Sequence, residues 1–223
     1  MATVTLSKPK KQFVEKVMNK SEESWNAFSP DMSAKYLKTF GHPAFGSKQI
    51  LLDVMRSLSN LSRPSVLDLG CGNAQLLEFF KEKNFDCDYV GVDFSQALLS
   101  VARRDNPESK FIQGDVNQLP NLISGHFDFV IYSHVLEMLE SPELSLREAK
   151  KVTNRILIRF FEPPEFEVDT VELREMDLGF GNVPYLRRKM SSSYYNLILA
   201  NINCRRVDVY RDATKDQVHL LHF

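Results

Sequence analysis

The chain has 223 residues, is 43% hydrophobic and 26% charged, and carries 28 Lys and Arg against 29 Asp and Glu. This length allows one sizeable core in one or two domains, and a net charge of −1 argues against a general attraction to nucleic acid or to an anionic membrane. Its 3 cysteines are far apart and form no CxxC pair, and the N-terminal segment lacks an apolar signal core. We therefore expect a soluble, cytoplasmic protein without a membrane span.

Residues 1–62 are predicted to form a helical appendage of the fold rather than a second domain. Five apolar residues recur at helical spacing after Ser47 and predict one amphipathic helix: Ile50, Leu51, Val54, Met55 and Leu58. The preceding segment, ESWNAFSPDMSAKYLKTFGHPAFG, is aromatic and is interrupted by prolines and glycines. This composition indicates short helices packed over the edge of a sheet.

From residue 64 onward, short β-like runs alternate with amphipathic stretches. Five runs are too short and too apolar for surface helices and are predicted to be strands: 66–69, 89–92, 110–112, 127–132 and 156–160. Between them, Ser95 is expected to cap one helix, and Ser141 followed by Pro142 to begin another. The alternation predicts an α/β fold with a parallel sheet that is covered on both faces.

Residues 161–190 are predicted to form an irregular insertion after the fifth of these strands. The segments FEVDTVELREM and VPYLRRKM flank DLGFGN, whose glycines suit the turn of a β-hairpin. Ser191–Ser193 then cap the helix YYNLILANI, and RRVDVY and QVHLLHF are expected to pair as an antiparallel closing pair of strands. Whether the insertion is a lid or an oligomer contact stays open.

Acidic residues end three successive predicted strands: Asp68, Asp93 and Asp115. Ligands of parallel α/β sheets bind at the carboxyl ends of the strands, so these acids share the edge where a ligand is expected. Gly70 and Gly72 let the backbone approach a ligand closely, and the helix start after them offers amide donors. Asp93 lies about 20 residues beyond the glycines, where an acid can bridge ribose hydroxyls. Asp115 could accept from the exocyclic amine of adenine, so the pattern predicts a nucleotide-like ligand.

These motifs resemble those of the class I S-adenosylmethionine-dependent methyltransferases of the small-molecule type. VLDLGCGNA is similar to their first motif, YVGVDFS to their ribose-binding strand, FIQGDVNQLP to their adenine-binding motif, and FDFVIYSHVLEML to their fourth-strand signature. The resemblance covers residues 64–160 well and the last two strands loosely. It implies a Rossmann-like, doubly wound, mostly parallel sheet of seven strands. Residues 63–223 would form the cofactor domain, with 1–62 as its helical cap and 161–190 as a substrate-side insertion.

The resemblance also implies where S-adenosyl-L-methionine would bind. Asp68 and Gly70 would border its methionine end, Asp93 its ribose, and Asp115 with Val116 its adenine. The other implied contacts are Phe94 on the adenine face, Tyr132 and Ser133 beneath the methionine amine and the sulfonium, and Gly72 in the turn.

A dinucleotide-dependent dehydrogenase is the weaker interpretation of the glycine turn. Its pattern G-x-G-x-x-G/A would need a small residue where Gln75 stands. The methyltransferase pattern G-x-G-x-G is met at Gly70 and Gly72, and Ala74 replaces the third glycine with one extra methyl group.

His134 is the candidate catalytic residue. It follows the fourth strand, close to where a methyl group would be delivered, and could take a proton from an attacking oxygen or nitrogen as a general base. A histidine that begins a helix and bonds to the backbone is the alternative, and many methyl transfers need only the positioning of a lone pair. The family often has a histidine where Met138 stands, so that position offers no base in this chain.

Four residues are candidate substrate contacts. Glu162 and Glu165, in the proline-stiffened segment FFEPPEF, could hold a cationic amine beside aromatic rings, and a surface loop with solvated acids is the alternative. Trp25 and Tyr36 could roof the site, or they could simply pack the core of the appendage. The basic run at 187–189 is either a solvated face or a contact for phosphate or carboxylate.

Together these features predict an S-adenosylmethionine-dependent methyltransferase that acts on a nitrogen or oxygen of a small-molecule acceptor. RNA or protein methylation, or a non-catalytic methyltransferase-like scaffold, stay open as alternatives. The histidines show no metal-ligand spacing, so we expect no metal. We expect neither a nucleic-acid nor a membrane partner, and a homo-oligomer stays open.

Overall fold

A seven-stranded sheet lies at the centre of the computed structural model, which describes residues 3–5, 25, 31–32, 46–177, 182–211 and 216–223. The described strands are β1 (Thr3–Thr5), β2 (Ser65–Leu69), β3 (Asp88–Asp93), β4 (Lys110–Gln113), β5 (Phe129–Ser133), β6 (Arg155–Phe160), β7 (Thr170–Asp177), β8 (Asn182–Lys189), β9 (Arg206–Arg211) and β10 (Gln217–His222). The described α-helices are α1 (Gly46–Leu58), α2 (Gln75–Glu82), α3 (Gln96–Asp105), α4 (Leu119–Leu122), α5 (Pro142–Ala149) and α6 (Ser192–Asn201). Short 3-10 turns span Val116–Gln118 and Leu136–Met138.

The central sheet has the strand order β4-β3-β2-β5-β6-β10-β9. The first five of these strands run parallel, and β10 is inserted antiparallel between β6 and β9. The chain winds outward in one direction from β2 to β4 and in the other from β5, so the order reverses between β2 and β5. This topology confirms the predicted doubly wound α/β fold and its antiparallel closing pair.

The strands predicted between residues 64 and 160 are all present, and β5 shows why one boundary differs. Its prediction began at Phe127, whereas the strand begins at Phe129. The intervening Asp128 accepts hydrogen bonds from the Ser65 amide at 2.8 Å and the Ser65 hydroxyl at 2.7 Å. Asp128 therefore binds the first residue of β2 through its side chain, and β5 begins one residue later.

Apolar side chains pack helices on both faces of the sheet. On one face, α1, α2 and α3 cover the strands with a core that includes Leu51, Phe80 and Leu99, all fully buried. On the other face, α4, α5 and α6 bury residues such as Leu146 and Ile198. Each fully buried side chain of this size contributes about 1.5–3 kcal/mol to folding. The amphipathic pattern predicted after Ser47 is confirmed as α1.

Two of the three predicted helix-start serines cap their helices through the side chain. The Ser95 hydroxyl accepts from the Leu98 amide at 3.4 Å, and the Ser191 hydroxyl accepts from the Tyr194 amide at 3.1 Å. Ser141 stands at the start of α5 without a side-chain capping bond, and Pro142 occupies the first turn as predicted. Ser95 also donates to the Trp25 carbonyl at 2.8 Å, so one cap connects α3 to the N-terminal segment.

The insertion contains the predicted hairpin, in which β7 pairs antiparallel with β8. Its predicted turn at 178–181 lies outside the described residues. β1 pairs with the other edge of β7 and completes a second sheet of order β1-β7-β8. The prediction that residues 1–62 are helical is therefore wrong in part. Thr3–Thr5 form a strand, which pairs with an edge of β7 that would otherwise be open. The division into cap and domain stays a prediction. Among the described helices, none is long and apolar enough to cross a membrane.

Candidate functional site

A cavity of about 430 Å³ opens at the carboxyl ends of the parallel strands. Loops after β2, β3, β4, β5 and β6 form its walls, and α1 and β8 contribute from outside the sheet. Of the residues predicted from the sequence, the cavity brings together Asp68, Gly70, Gly72, Asp93, Phe94, Asp115, Val116, Ser133, His134 and Trp25. Three of the predicted residues lie elsewhere among the described part of the chain: Tyr132, Glu162 and Glu165. Tyr36 lies outside the described residues.

The turn after β2 requires glycine at its first position. Gly70 has φ +74°, and a Cβ built there would lie 2.5 Å from Cγ2 of Val135, which is closer than real carbon contacts allow. Gly72 has φ +55°, with no neighbour closer than 3.8 Å to a Cβ. Ala74, in place of the third glycine, also adopts the left-handed conformation, with φ +66°. The single methyl group that departs from the glycine pattern is therefore accommodated in the expected backbone conformation.

Asp93 connects the glycine turn to the start of α3. Its two carboxylate oxygens each accept one backbone hydrogen bond at 2.8 Å, from the Gly72 amide and from the Ser95 amide. Burial raises the pKa of this carboxyl, while the hydrogen bonds from the backbone oppose that rise. Each oxygen retains a second lone pair, so Asp93 can hold the turn and still accept from ligand hydroxyls.

One carboxylate oxygen of Asp68 receives no hydrogen bond from the described residues. One oxygen accepts from the Tyr89 hydroxyl at 2.6 Å, and the other is buried without a hydrogen-bond partner among the described residues. Burial raises the pKa of Asp68 to about 6, against the lowering effect of the Tyr89 hydrogen bond. An ammonium group beside Asp68 would satisfy this oxygen and stabilise its charge.

The loops after β3 and β4 form a partly apolar wall with one acid at its rim. Val116 is buried, and Phe94 packs against Trp25 and Leu98. Asp115 is exposed, and one of its oxygens accepts from the Asn117 amide and side chain at 2.8 and 2.9 Å. Its second oxygen is the atom that suits an exocyclic amine.

Tyr132 does not reach the cavity with its side chain, contrary to the implied role beneath the cofactor. It is fully buried, and its hydroxyl lies 2.8 Å from the Ser145 hydroxyl of α5. Tyr132 pairs with Leu69, and both side chains belong to the core on the face opposite the one that carries the Asp68 side chain. Ser133, the next residue, lines the cavity.

His134 is held by two neighbours in an unusual backbone conformation, with φ +60°. Its Nδ1 lies 3.1 Å from Nη2 of Arg159, and its Nε2 lies 3.4 Å from a carboxylate oxygen of Asp216. A guanidinium only donates, so Nδ1 accepts and the proton resides on Nε2. Burial, together with the positive charge of Arg159, lowers the pKa of His134 to about 4. Since both ring nitrogens face protein groups, the geometry favours a structural role over that of a general base.

Glu162 and Glu165 are engaged by arginines rather than presented to an amine substrate. Glu162 lies 3.3 Å from Arg174 and 3.1 Å from Arg187, and Glu165 lies 2.7 Å from Arg211. Neither carboxylate lines the cavity. The structure thus removes the reason for favouring a cationic acceptor, because these acids already have cationic partners.

Three basic residues line the cavity: Lys48 and Arg159, which no sequence motif indicated, and Arg187, from the basic run 187–189 that was a candidate contact for phosphate or carboxylate. They are 2%, 4% and 5% exposed. Burial and the charge of Arg159 lower the pKa of Lys48 to about 8. The sequence indicates a special environment for Arg159, since an arginine inside the apolar run RILIRF needs a buried polar partner or a ligand. Lys48 occupied a position on α1 with no distinguishing pattern.

Part of this chain resembles known methyltransferases. Residues 67–155 match the family model described as "Methyltransferase domain". A demethylmenaquinone methyltransferase of Renibacterium salmoninarum is 32% identical over 104 residues, which cover 45% of this chain and 43% of the relative. A trans-aconitate 2-methyltransferase of Yersinia pestis is 33% identical over 66 residues, 30% of this chain and 26% of the relative. The solved structure of Streptomyces venezuelae DesVI superposes with a TM-score of 0.62 at 15% identity, covering 87% of this chain and 99% of that one, a likeness of fold.

The match to a methyltransferase domain covers residues 67–155, less than half of the chain, and the likeness to the solved structure is one of fold. The matching segment spans less than half the length of these curated relatives.

Proposed function

We propose that this protein transfers the methyl group of S-adenosylmethionine to a nitrogen or oxygen of a small-molecule acceptor. The observation that carries the proposal is the juxtaposition, in one cavity, of the glycine turn, Asp68 and Asp93 with an enclosed aromatic and basic region. The two curated relatives described above bear names that specify small-molecule acceptors, which supports the same class.

The residues of the cavity fit the cofactor on two independent grounds. The buried oxygen of Asp68 needs a donor, which the methionine ammonium supplies. The turn at Gly70 and Gly72 exposes backbone beside Asp93, where ribose hydroxyls can reach the carboxylate. Asp115, Val116 and Phe94 would border the adenine. When bound, S-adenosylmethionine supplies an electrophilic methyl group on a sulfonium sulfur.

The protein's own contribution would be binding, orientation and exclusion of water. Trp25 and Tyr185 form an edge-to-face pair with ring centres 6.5 Å apart on the wall of the cavity. An enclosed acceptor that is aligned with the methyl group needs no general base on its path, provided that its nucleophilic atom is already unprotonated. This account is consistent with the position of His134 between Arg159 and Asp216.

The proposal is tested with methyl-labelled S-adenosylmethionine and an extract of small molecules and macromolecules from the source organism. We expect label to appear in the small-molecule fraction only when this protein is present. Label in RNA or protein would overturn the acceptor class but keep the methyltransferase activity. Binding of S-adenosylmethionine by calorimetry without transfer to any fraction would favour the non-catalytic alternative.

Affinity for S-adenosylmethionine is expected to fall as the pH drops below about 6. Asp68 is ionised above its pKa of about 6 and attracts the ammonium group, and protonation below that value removes the attraction. Tyr89→Phe deletes the hydroxyl that holds the pKa down, so the midpoint of the pH profile should move upward. Tyr195→Phe is the matched control, because it loses a buried hydroxyl that contacts His219 instead. The measurement is calorimetric titration between pH 5 and about 8, and superimposable profiles for the wild type and Tyr89→Phe would contradict the role of Asp68.

A further inference from the structure

Buried basic side chains lie in the part of the cavity that is not formed by β2, β3, β4 and the loops after them. Lys48 comes from α1, Arg159 from β6 and Arg187 from β8, and each is at most 5% exposed. Basic side chains are almost never buried to this degree unless they are paired with an anion. Three elements that are distant in sequence thus bring their charges to one cavity.

The carboxylates near this region are already in use within the protein. Glu137, the buried acid of this wall, accepts from the backbone amides of Phe161 at 2.8 Å and Glu162 at 3.4 Å. Asp216 accepts from the Ser47 hydroxyl at 2.8 Å and contacts His134. These hydrogen bonds occupy the acids but do not remove their charge, so the case for an incoming anion depends on the donors that Arg187 leaves unused.

Arg187 is the basic residue that is best prepared to bind one. Its guanidinium carbon lies 4.0 Å from the centre of the Phe161 ring, and its Nε lies 3.1 Å from Glu162. Its Nη2 is buried and has no hydrogen-bond partner among the described residues. Its Nε is likewise without a hydrogen bond among the described residues, despite the short distance to Glu162. A stacked guanidinium with unused N–H groups is suited to a planar anion such as a carboxylate, and to phosphate.

We propose that the acceptor carries an anionic oxygen group, a carboxylate or a phosphate, which Arg187 binds with the support of Lys48 and Arg159. This inference rests on the proposed methyltransferase function and names its substrate class. The anionic group anchors the acceptor, while another nitrogen or oxygen of the same molecule bonds to the methyl carbon. The carbon–sulfur bond breaks in that step, and the sulfur keeps its electron pair.

The single tryptophan of the chain, Trp25, provides a direct signal because it lines the same cavity. Protein saturated with S-adenosylhomocysteine is titrated with succinate and, separately, with inorganic phosphate, and sodium chloride at equal ionic strength serves as the reference. We expect a saturable change in fluorescence with at least one of the two anions and none with chloride. The anion that binds more tightly distinguishes carboxylate from phosphate, and the absence of saturable binding for both would overturn the proposal.

Arg187→Gln is expected to weaken this anion binding by about tenfold or more, since it removes a charged donor. Arg188→Gln is the matched control: Arg188 is equally buried, but it pairs with Asp169 at 2.7 Å and does not line the cavity. Equal anion affinity in the two variants would overturn the assignment to Arg187. Calorimetry of S-adenosylhomocysteine binding is run on the wild type and both variants. If the wild type does not bind S-adenosylhomocysteine, the proposed function itself is wrong. If it binds S-adenosylhomocysteine but neither anion, only the proposal of an anionic acceptor is wrong.

Discussion

Replacing Asp93 by alanine is expected to weaken the binding of S-adenosylmethionine by about 1–3 kcal/mol or more. The variant leaves ribose hydroxyls without their acceptor, and each buried polar group left unpaired costs on this order. It also deprives the amides of Gly72 and Ser95 of their partners, so the glycine turn loses its connection to α3. Two effects of the same sign therefore combine at one residue.

Calorimetric titration of the variant with S-adenosylmethionine measures this loss. Asp88→Ala is the control at the opposite end of β3, where the carboxylate is exposed and lies 2.8 Å from Arg63. We expect Asp88→Ala to bind the cofactor as the wild type does. Unchanged affinity in Asp93→Ala would remove this residue from the cofactor site.

Gly70→Ala is expected to destabilise the protein by about 2–5 kcal/mol. A left-handed conformation costs a residue with a side chain about 1–2 kcal/mol, and forcing a methyl group into a packed site costs about 1–3 kcal/mol more. The second contribution arises from Val135, whose Cγ atoms would lie 2.5 and 2.7 Å from the new Cβ. Cofactor binding should fall with it, because the turn must shift away from Val135.

Gly72→Ala separates the two contributions, since it has a similar φ but no contact closer than 3.8 Å. Urea unfolding should therefore show a loss of only about 1–2 kcal/mol for Gly72→Ala. Adding Val135→Ala to Gly70→Ala should recover part of the steric cost but none of the conformational cost. Equal losses in the two glycine variants, with no recovery in the double variant, would contradict the close packing of the turn against Val135.

The proposed cofactor half of the site is predictable from the sequence because its determinants are local. Asp68, Asp93 and Asp115 lie at or just beyond the carboxyl ends of recognisable apolar strands, and parallel strands bring these ends to one edge. Alternation along a strand decides the face to which each side chain points. Tyr132 is the exception, because the register of β5 with β2 pairs it with Leu69 and directs its ring into the opposite core.

The acceptor half depends on contacts between residues that are far apart in sequence. Glu162, in the segment after β6, meets Arg187 on β8, and Asp216, just before β10, meets His134, just after β5. No local sequence pattern predicts such pairs. The sequence therefore suggested acids beside an amine and a free histidine base, whereas the fold supplies arginine partners for the acids and encloses the histidine.

We propose that the carboxyl edge of β2, β3 and β4 binds S-adenosylmethionine. A crystal structure of the protein with S-adenosylhomocysteine tests it most directly. We expect the adenine between Phe94 and Val116, ribose hydroxyls on Asp93, and the ammonium group within hydrogen-bonding distance of Asp68. Ligand density at another place in the fold, with these carboxylates unchanged from their present contacts, would contradict the account.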